Sequence, residues 1–295
     1  MEIWSSRSHT TVCPADPIPL VMDSPHSGIQ YPDDFNYSCS HADLRYCEDT
    51  HVDRLWSAAP KLGAYLLAAN APRAYIDCNR SLEDFDVGMV EGYWPAPVNP
   101  GLGTSRGFGL IWSNIAEGKP IYSRRLSVQE VQQRIREYYL PYHEALQTIL
   151  DKMYDQFGGV WHLNQHSMPA DAYARWGYTT DKKLADFVLG TLDGTTCSPE
   201  FVDVVEKLLV DRGYTVSINE PYKGMELLSR HGRPHENRHS LMIEINRCLY
   251  MDERTREPNS GFEQLQSDLE QVTRSLADYV RSKVAERRET AIAHV

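Results

Sequence analysis

This sequence of 295 residues lacks the features that define several large classes of protein. It contains no run of about 18 apolar residues, so we expect no membrane span. Its first segment has no basic stretch followed by an apolar one, so we expect no secretory signal and a cytoplasmic location. The formal net charge of −11 argues against a nucleic-acid-binding protein, which usually carries a basic face.

Cysteine is sparse, and the six cysteines form no CxxC pair. Neither a disulfide framework nor a cysteine zinc site is therefore supported, and reduced thiols are the simpler expectation. Internal repeats and low-complexity linkers are absent as well. What is present is an ordinary globular composition, 41% hydrophobic and 24% charged. We expect one domain over 1–295, with a core at about 15–255 and a C-terminal helix at about 260–288.

Short apolar runs predict buried strands, and longer amphipathic stretches predict helices between them. The predicted strands are 18–22, 64–69, 73–78, 159–163, 214–218 and 240–245. Strands interleaved with helices indicate an α/β fold in which helices flank a mixed, mostly parallel sheet. Active sites in such sheets gather at the carboxyl ends of the strands, so polar residues at those ends matter most.

Three stretches have the signals of helices. A capping box that begins at Ser127 predicts the first, and Pro141 is expected to kink or divide it. Ser198 is a predicted N-cap of the second helix, which ends before Gly213. The third is predicted within 262–287.

Polar residues lie at the end of the first predicted strand and on the approach to a helix. His26 stands in a turn of Pro, Ser and Gly, where it either faces a cleft or bonds its own loop. Glu48 and Asp49 precede a helical stretch, and either could be a carboxylate ligand of a metal. Capping of that helix is the alternative for this acidic pair.

Two later strands carry polar side chains among apolar ones. His162, Asn164 and His166 share one face of an extended segment, and such a group is costly in a core unless it is paired or binds a metal. Glu244 is a single carboxylate inside an apolar strand. It is either neutralised by a nearby arginine or acts in a cleft as a general base with a raised pKa.

Two histidines and one carboxylate, with a further position open to water, recur in catalytic zinc sites. His26 and His166, with Asp49 or Glu48, supply that composition. Glu244 then supplies the base for metal-assisted attack on a carbonyl.

Eight motifs occur along the chain in a fixed order: SPHSG, EDTHVDRLW, YIDCNRS, YYLPYHEAL, NQHSMP, NEPYKG, SRHGRP and MIEINRCLYMDE. Together they resemble the N-formylglutamate amidohydrolase family over about 19–253. The resemblance implies a fold similar to that of the zinc carboxypeptidases and one zinc per chain, with other divalent metals left open. It also implies hydrolysis of N-formylglutamate to formate and glutamate, the last step of one histidine-degradation route.

By this resemblance, His26 and His166 bind the zinc with Asp49 as the first choice of carboxylate. Glu48 stays as the alternative ligand. The family often has an acidic residue two positions before the late metal histidine, whereas this chain has Asn164. An amide can still hydrogen-bond there but brings no charge, which leaves open a different metal affinity or substrate preference.

The same resemblance assigns roles to several other residues. Glu244 resembles the general base, and Arg80 resembles an arginine that binds a substrate carboxylate or polarises the scissile carbonyl. The expected partner is a small anionic N-acyl amino acid, held by a further group of residues: Asn79, Lys223, Arg230, His231, Arg233, His239 and Arg247. A surface ion pair is the alternative for Arg233. Another N-acyl amino acid or short amide is the rival substrate, and a non-catalytic binding protein is the rival class.

Overall fold

An eight-stranded mixed sheet forms the centre of the computed structural model, which describes residues 1–116, 118–175 and 177–293. The strands in chain order are β1 (Glu2–Ser5), β2 (His9–Cys13), β3 (Leu20–Ser24), β4 (Tyr65–Ala69), β5 (Val90–Glu91), β6 (Asn114–Ala116), β7 (Lys119–Pro120), β8 (Leu126–Ser127), β9 (Val160–Met168), β10 (Phe187–Gly190), β11 (Val216–Ile218) and β12 (Arg238–Asn246). β5 pairs with β8, and β6 with β7, in two small separate sheets.

The helices surround this sheet on both faces. They are α1 (His41–Arg45), α2 (Val52–Leu55), α3 (Leu102–Ser105), α4 (Val128–Arg134), α5 (Leu140–Phe157), α6 (Ala172–Arg175), α7 (Pro199–Val210), α8 (Glu226–His231) and α9 (Phe262–Ala293). Ser198 caps α7 as predicted. Within the described residues, no helix is both long and apolar enough to cross a membrane.

The strand order of the large sheet is β1-β2-β4-β3-β9-β12-β10-β11. The four central strands β4, β3, β9 and β12 run parallel to one another. β2 and β10 flank them in antiparallel pairing. The expectation of a mixed, mostly parallel sheet is therefore confirmed, and the carboxyl ends of the four central strands meet at one edge.

The two faces of the sheet differ in character because side chains alternate along each strand. One face packs against α2, α7 and α9 in the largest apolar cluster, to which Met22, Leu163 and Ile243 contribute. The opposite face packs against α5 and carries the polar residues of the central strands. The functional side chains therefore lie on the α5 face.

A π-helical turn, Ile135–Tyr139, joins α4 to α5. The capping box that begins at Ser127 is present at the start of α4, as predicted. Pro141 lies in the first turn of α5, where it offers no N–H to the helical ladder. The helix contains one wider π turn at this point and then continues, so its regular α-helical hydrogen bonding is interrupted but the helix does not end.

The predicted strand 73–78 is wrong, since these residues form consecutive turns. Arg73 and Asp77 are bonded side chain to side chain at i, i+4, an arrangement that an extended strand does not allow. β1, β2 and β10 were not predicted. β10 has only four residues, too few for an apolar period to stand out.

Candidate metal centre

Three buried side chains converge at the carboxyl end of the central strands. His26 follows β3, Asp49 precedes α2, and His166 lies inside β9. One ligand atom from each lies within 4.8 Å of the other two. Asp49 Oδ2 is 3.1 Å from His166 Nδ1 and 3.3 Å from His26 Nδ1. The first-choice ligand set of the sequence is thus brought together.

Local backbone contacts hold the first two residues in place. The N–H of Asp49 donates to the carbonyl of His26 at 3.0 Å, which ties the two loops together. Gly28 packs directly on the backbone of Asn70 and Ala71, so that a Cβ there would lie 2.1 Å from the carbonyl oxygen of Ala71. Only glycine fits at this point, and the turn that carries His26 is fixed by that contact.

The arrangement fits a divalent metal because the donor atoms already point at one another. His26 Nδ1 is buried and has no hydrogen-bond partner among the described residues, while its Nε2 lies 2.7 Å from Asp77 Oδ1. A buried nitrogen is rarely left unpaired, so this lone pair fits the role of a metal ligand. Burial opposes ionisation of Asp49, but its close contacts with His166 and His26 and the positive charge of Arg73 hold its pKa well below the usual range. An ionised carboxylate and two imidazole nitrogens suit zinc.

Glu48 points away from this cluster. Its carboxylate accepts hydrogen bonds from Tyr31 Oη at 2.7 Å and from Thr50 Oγ1 at 2.9 Å, and Arg45 Nε lies 3.4 Å away. Those contacts occupy both oxygens of the Glu48 carboxylate. Of the two carboxylates left open by the sequence, Asp49 is the one that faces the histidines.

Glu244 lies beside the cluster on the neighbouring strand. β12 and β9 are paired in a register that sets Glu244 directly opposite His166, so both side chains point to the same face. Within the described chain, Glu244 makes no hydrogen bond or salt bridge. Burial raises its pKa to about 7. This is the environment expected of a general base.

Arg73 and Asp77 belong to the centre although neither was singled out in the sequence. Asp77 Oδ2 accepts from Arg73 Nη2 at 2.9 Å and from Trp112 Nε1 at 3.1 Å, while its other oxygen contacts His26. The guanidinium of Arg73 lies over the Trp112 ring and 3.9 Å from Asp49. The signal that could have found them is the i, i+4 spacing of opposite charges in a segment misread as a strand.

Arg80 is buried near the centre but is largely engaged with backbone. Its Nε donates to the carbonyl of Phe108 at 2.9 Å, and its Nη1 lies 3.3 Å from the carbonyl of Asn79. Asn79 in turn places its amide nitrogen 3.1 Å from His166 Nε2. Arg247 is buried as well and donates to Asp49 Oδ1 at 2.8 Å. Asn79 and Arg247 therefore touch the ligands themselves.

The other predicted binding residues lie farther out. Lys223 is exposed and paired with Asp193, and Arg230 contacts His143 Nδ1 at 2.7 Å. Arg233 forms an exposed ion pair with Glu236, the alternative that the sequence left open.

Two predicted histidines are enclosed by other groups. His231 is buried with its ring 5.9 Å from that of His162. His239 lies at the opposite end of β12 from Glu244, stacked on Trp161. The structure does not bring Arg233 or His239 to the centre.

Two stretches match short catalytic patterns of other hydrolases, HENRH at 235–239 and GTSRG at 103–107. The zinc-binding pattern HExxH requires both histidines on one helical face, but His235 is exposed in a 3-10 turn and His239 is already in a strand. Ser105 is exposed, and its hydroxyl donates to the carbonyl of Leu102. Neither pattern is assembled for catalysis.

The sequence model of the N-formylglutamate amidohydrolase family matches residues 18–251. An N-formylglutamate deformylase of Pseudomonas putida is 28% identical over 275 residues, covering 92% of this chain and 95% of the relative. The crystal structure of N-formylglutamate amidohydrolase from Ralstonia eutropha JMP134 has a TM-score of 0.92 at 53% identity, covering 94% of this chain and 99% of that one. A gene product of Agrobacterium tumefaciens, 14% identical with a TM-score of 0.64 over 94% of this chain and 96% of its own, shares the fold.

Proposed function

We infer that this chain, which belongs to the N-formylglutamate amidohydrolase family and is a hydrolase acting on amide bonds, removes the formyl group from N-formylglutamate with the help of a bound metal. The products are formate and glutamate. One observation carries the proposal: the buried group of His26, Asp49 and His166 lies beside a buried carboxylate, Glu244, that has no partner in the described chain. The likeness to zinc carboxypeptidases stays a prediction.

His26, Asp49 and His166 are the residues that would hold the metal, with zinc as the first choice for two nitrogen ligands and one oxygen ligand. Such a metal, when bound, polarises a carbonyl and lowers the pKa of water. Asp77 holds His26 at Nε2, which keeps the lone pair of Nδ1 directed at Asp49. Arg247 holds Asp49 by its other oxygen. Such outer contacts orient the donor atoms before a metal arrives.

Glu244 is the proposed general base. It accepts a proton from the attacking water and returns that proton to the amine nitrogen when the C–N bond of the formamide breaks. A carboxylate whose pKa is raised to about 7 by burial is suited to both transfers near neutral pH. Because no described residue donates a hydrogen bond to it, both of its oxygens are available to water and substrate.

The cations around the centre are proposed to bind the anionic parts of the substrate. Arg247 is already bonded to Asp49, so we assign Arg73 and Arg80 to the developing oxyanion or to the α-carboxylate of the glutamate. Lys223 and Arg230 lie farther out and are proposed for the side-chain carboxylate. Their exposed positions are compatible with an exchange of their present partners for substrate.

The decisive experiment compares N-formylglutamate with N-acetyl-, N-succinyl- and N-carbamoylglutamate and with N-formylleucine. We expect the highest kcat/KM for N-formylglutamate, loss of activity on chelation, and its return with Zn²⁺. Full activity in metal-free protein would contradict the proposed metal dependence. A preference for another acyl group would change the assigned substrate but not the proposed hydrolytic chemistry.

A matched pair of histidine variants separates the metal site from the rest of the chain. His166→Ala should lose bound zinc and activity together. His235→Ala changes an exposed histidine outside the cluster and should keep both. Retention of one zinc per chain by the His166 variant would remove this residue from the ligand set.

A further inference from the structure

A line of buried hydrogen bonds leads from His166 away from the cluster and into the sheet. His166 Nε2 lies 2.7 Å from Asn164 Oδ1, and Asn164 Nδ2 lies 2.8 Å from Asp23 Oδ1. Asp23 is fully buried and also contacts His162 Nε2 at 2.8 Å and Tyr142 Oη at 2.5 Å. The three neighbouring groups all direct polar hydrogens towards its two oxygens.

The chemistry of these groups allows only one orientation along the line. An ionised carboxylate is an acceptor only, so Asp23 requires the NH₂ side of the Asn164 amide. The carbonyl oxygen of Asn164 must then face His166 Nε2, and this nitrogen must carry a hydrogen. In a neutral imidazole the other nitrogen, Nδ1, is left with a lone pair that faces the Asp49 carboxylate at 3.1 Å, a contact that is favourable only when both atoms bind the same cation.

A second amide tests this reasoning at the same nitrogen. Asn79 Oδ1 accepts the backbone N–H of Leu227 at 3.0 Å, which turns the amide nitrogen of Asn79 towards His166 Nε2 at 3.1 Å. That donor would favour the opposite tautomer. Asn164 is closer, and an oxygen 2.7 Å from an unprotonated nitrogen would set two lone pairs against each other, so Asn164 decides.

We propose that Asp23 and Asn164 form a positioning pair in which the carboxylate of Asp23 fixes the Asn164 amide, and the amide fixes the His166 tautomer that can bind a metal through Nδ1. The pair rests on the proposed metal site. It also explains how a neutral residue stands where charge would be expected: the negative charge lies one hydrogen bond farther back, on Asp23. His26, by contrast, is held directly by the carboxylate of Asp77.

The first test measures the affinity for Zn²⁺ by competition with a chromophoric chelator. Asn164→Leu keeps the approximate size of the side chain and removes both hydrogen bonds, and it should weaken zinc binding by about 10–100-fold. Tyr142→Phe is the matched control, because it removes a hydrogen bond to the other oxygen of Asp23. It should leave zinc affinity within about threefold of the wild type. Wild-type affinity in the Asn164→Leu protein would overturn the proposal.

The second test exchanges the two groups. In the double variant Asp23→Asn with Asn164→Asp, the new carboxylate faces His166 Nε2 directly, and the new amide donates to it from behind. Zinc affinity should recover to within about threefold of the wild type. A purely space-filling role for Asn164 predicts no such recovery. A folded double variant that binds zinc at least about 10-fold more weakly than the wild type would overturn the pair, and this comparison does not need the single variant to fold.

A third measurement stays informative if the protein binds no zinc and the proposed function fails. Nitrogen chemical shifts of the His166 ring in the metal-free wild type should show a hydrogen on Nε2. An unprotonated Nε2 would refute the relay itself. Absence of zinc binding together with a protonated Nε2 would refute only the metal site.

Discussion

The two faces of the nine-residue strand β9 are equally buried but differ in chemistry. Towards α7 and α9, Trp161 and Leu163 pack in the apolar cluster of the sheet. Towards α5, His162, Asn164 and His166 are just as buried but lie in a connected set of hydrogen bonds. Substitutions on the apolar face should therefore change the free energy of unfolding, and those on the polar face should change metal binding and catalysis.

The largest effect on activity is expected at Glu244. Glu244→Gln removes the base but keeps the shape of the side chain, so kcat should fall by about 10²–10⁴-fold while zinc content and Tm are kept. Steady-state kinetics and metal analysis test this. Glu263→Gln, a change on the exposed surface of α9, is the control and should leave kcat, zinc content and Tm unchanged. Near-wild-type turnover in the Glu244 variant would remove it from the mechanism.

A smaller effect on the polar side is expected at Asp77. Asp77→Asn takes the charge from the group that holds His26, and zinc affinity should fall by about 10–100-fold. Chelator competition measures it, with Asp86→Asn, an exposed change, as the comparison. An affinity within threefold of the wild type would mean that His26 needs no charged support.

The apolar face is tested by Leu163→Ala. The side chain is fully buried, so we expect a loss of about 2–5 kcal/mol in the free energy of unfolding. Zinc affinity and kcat/KM of the folded fraction should be unchanged. Leu140→Ala, at an exposed position of α5, should cost under about 0.5 kcal/mol in the same denaturant titration. A specific fall in kcat/KM without loss of stability would break the division between the faces.

The smallest effect is expected outside both faces, at Arg233. Its ion pair with Glu236 is exposed, so Arg233→Ala should change stability by less than about 1 kcal/mol. Since the side chain is engaged at the surface, KM for N-formylglutamate should stay within about twofold of the wild type. A large rise in KM would return Arg233 to the substrate-binding group.

The sequence alone allowed much of this architecture to be predicted, because the relevant signals are local. One capping box marks the helix start at Ser127, and a run of alternating apolar residues marks the strand that contains Glu244. His26 and His166 could be chosen because active sites in such sheets gather at the carboxyl ends of strands, and the family resemblance favoured Asp49 over Glu48. The resemblance to a family then supplied the reaction.

What the sequence could not reveal depends on contacts between distant segments. The roles of Asp77 and Arg247 depend on which ligand each one touches, and that follows only from tertiary packing. His239 was assigned to the substrate through the family resemblance, yet its ring stacks on Trp161. The choice between Asp49 and Glu48, adjacent in sequence, likewise depends on the direction that each side chain takes from its loop.

The pairing of Glu244 with His166 across two parallel strands has a consequence for the evolution and engineering of this protein. The spacing between base and ligand is set by the backbone hydrogen bonds of β9 and β12, which hold neighbouring strands about 4.8 Å apart. Loops that contact the substrate can therefore vary without changing the distance between the base and the ligand. A new acyl specificity should be reachable by exchanging loop residues alone. Insertion of one residue into β12 ahead of Glu244 would turn the base to the opposite side of the sheet, and an insertion into β9 ahead of His166 would do the same to the ligand.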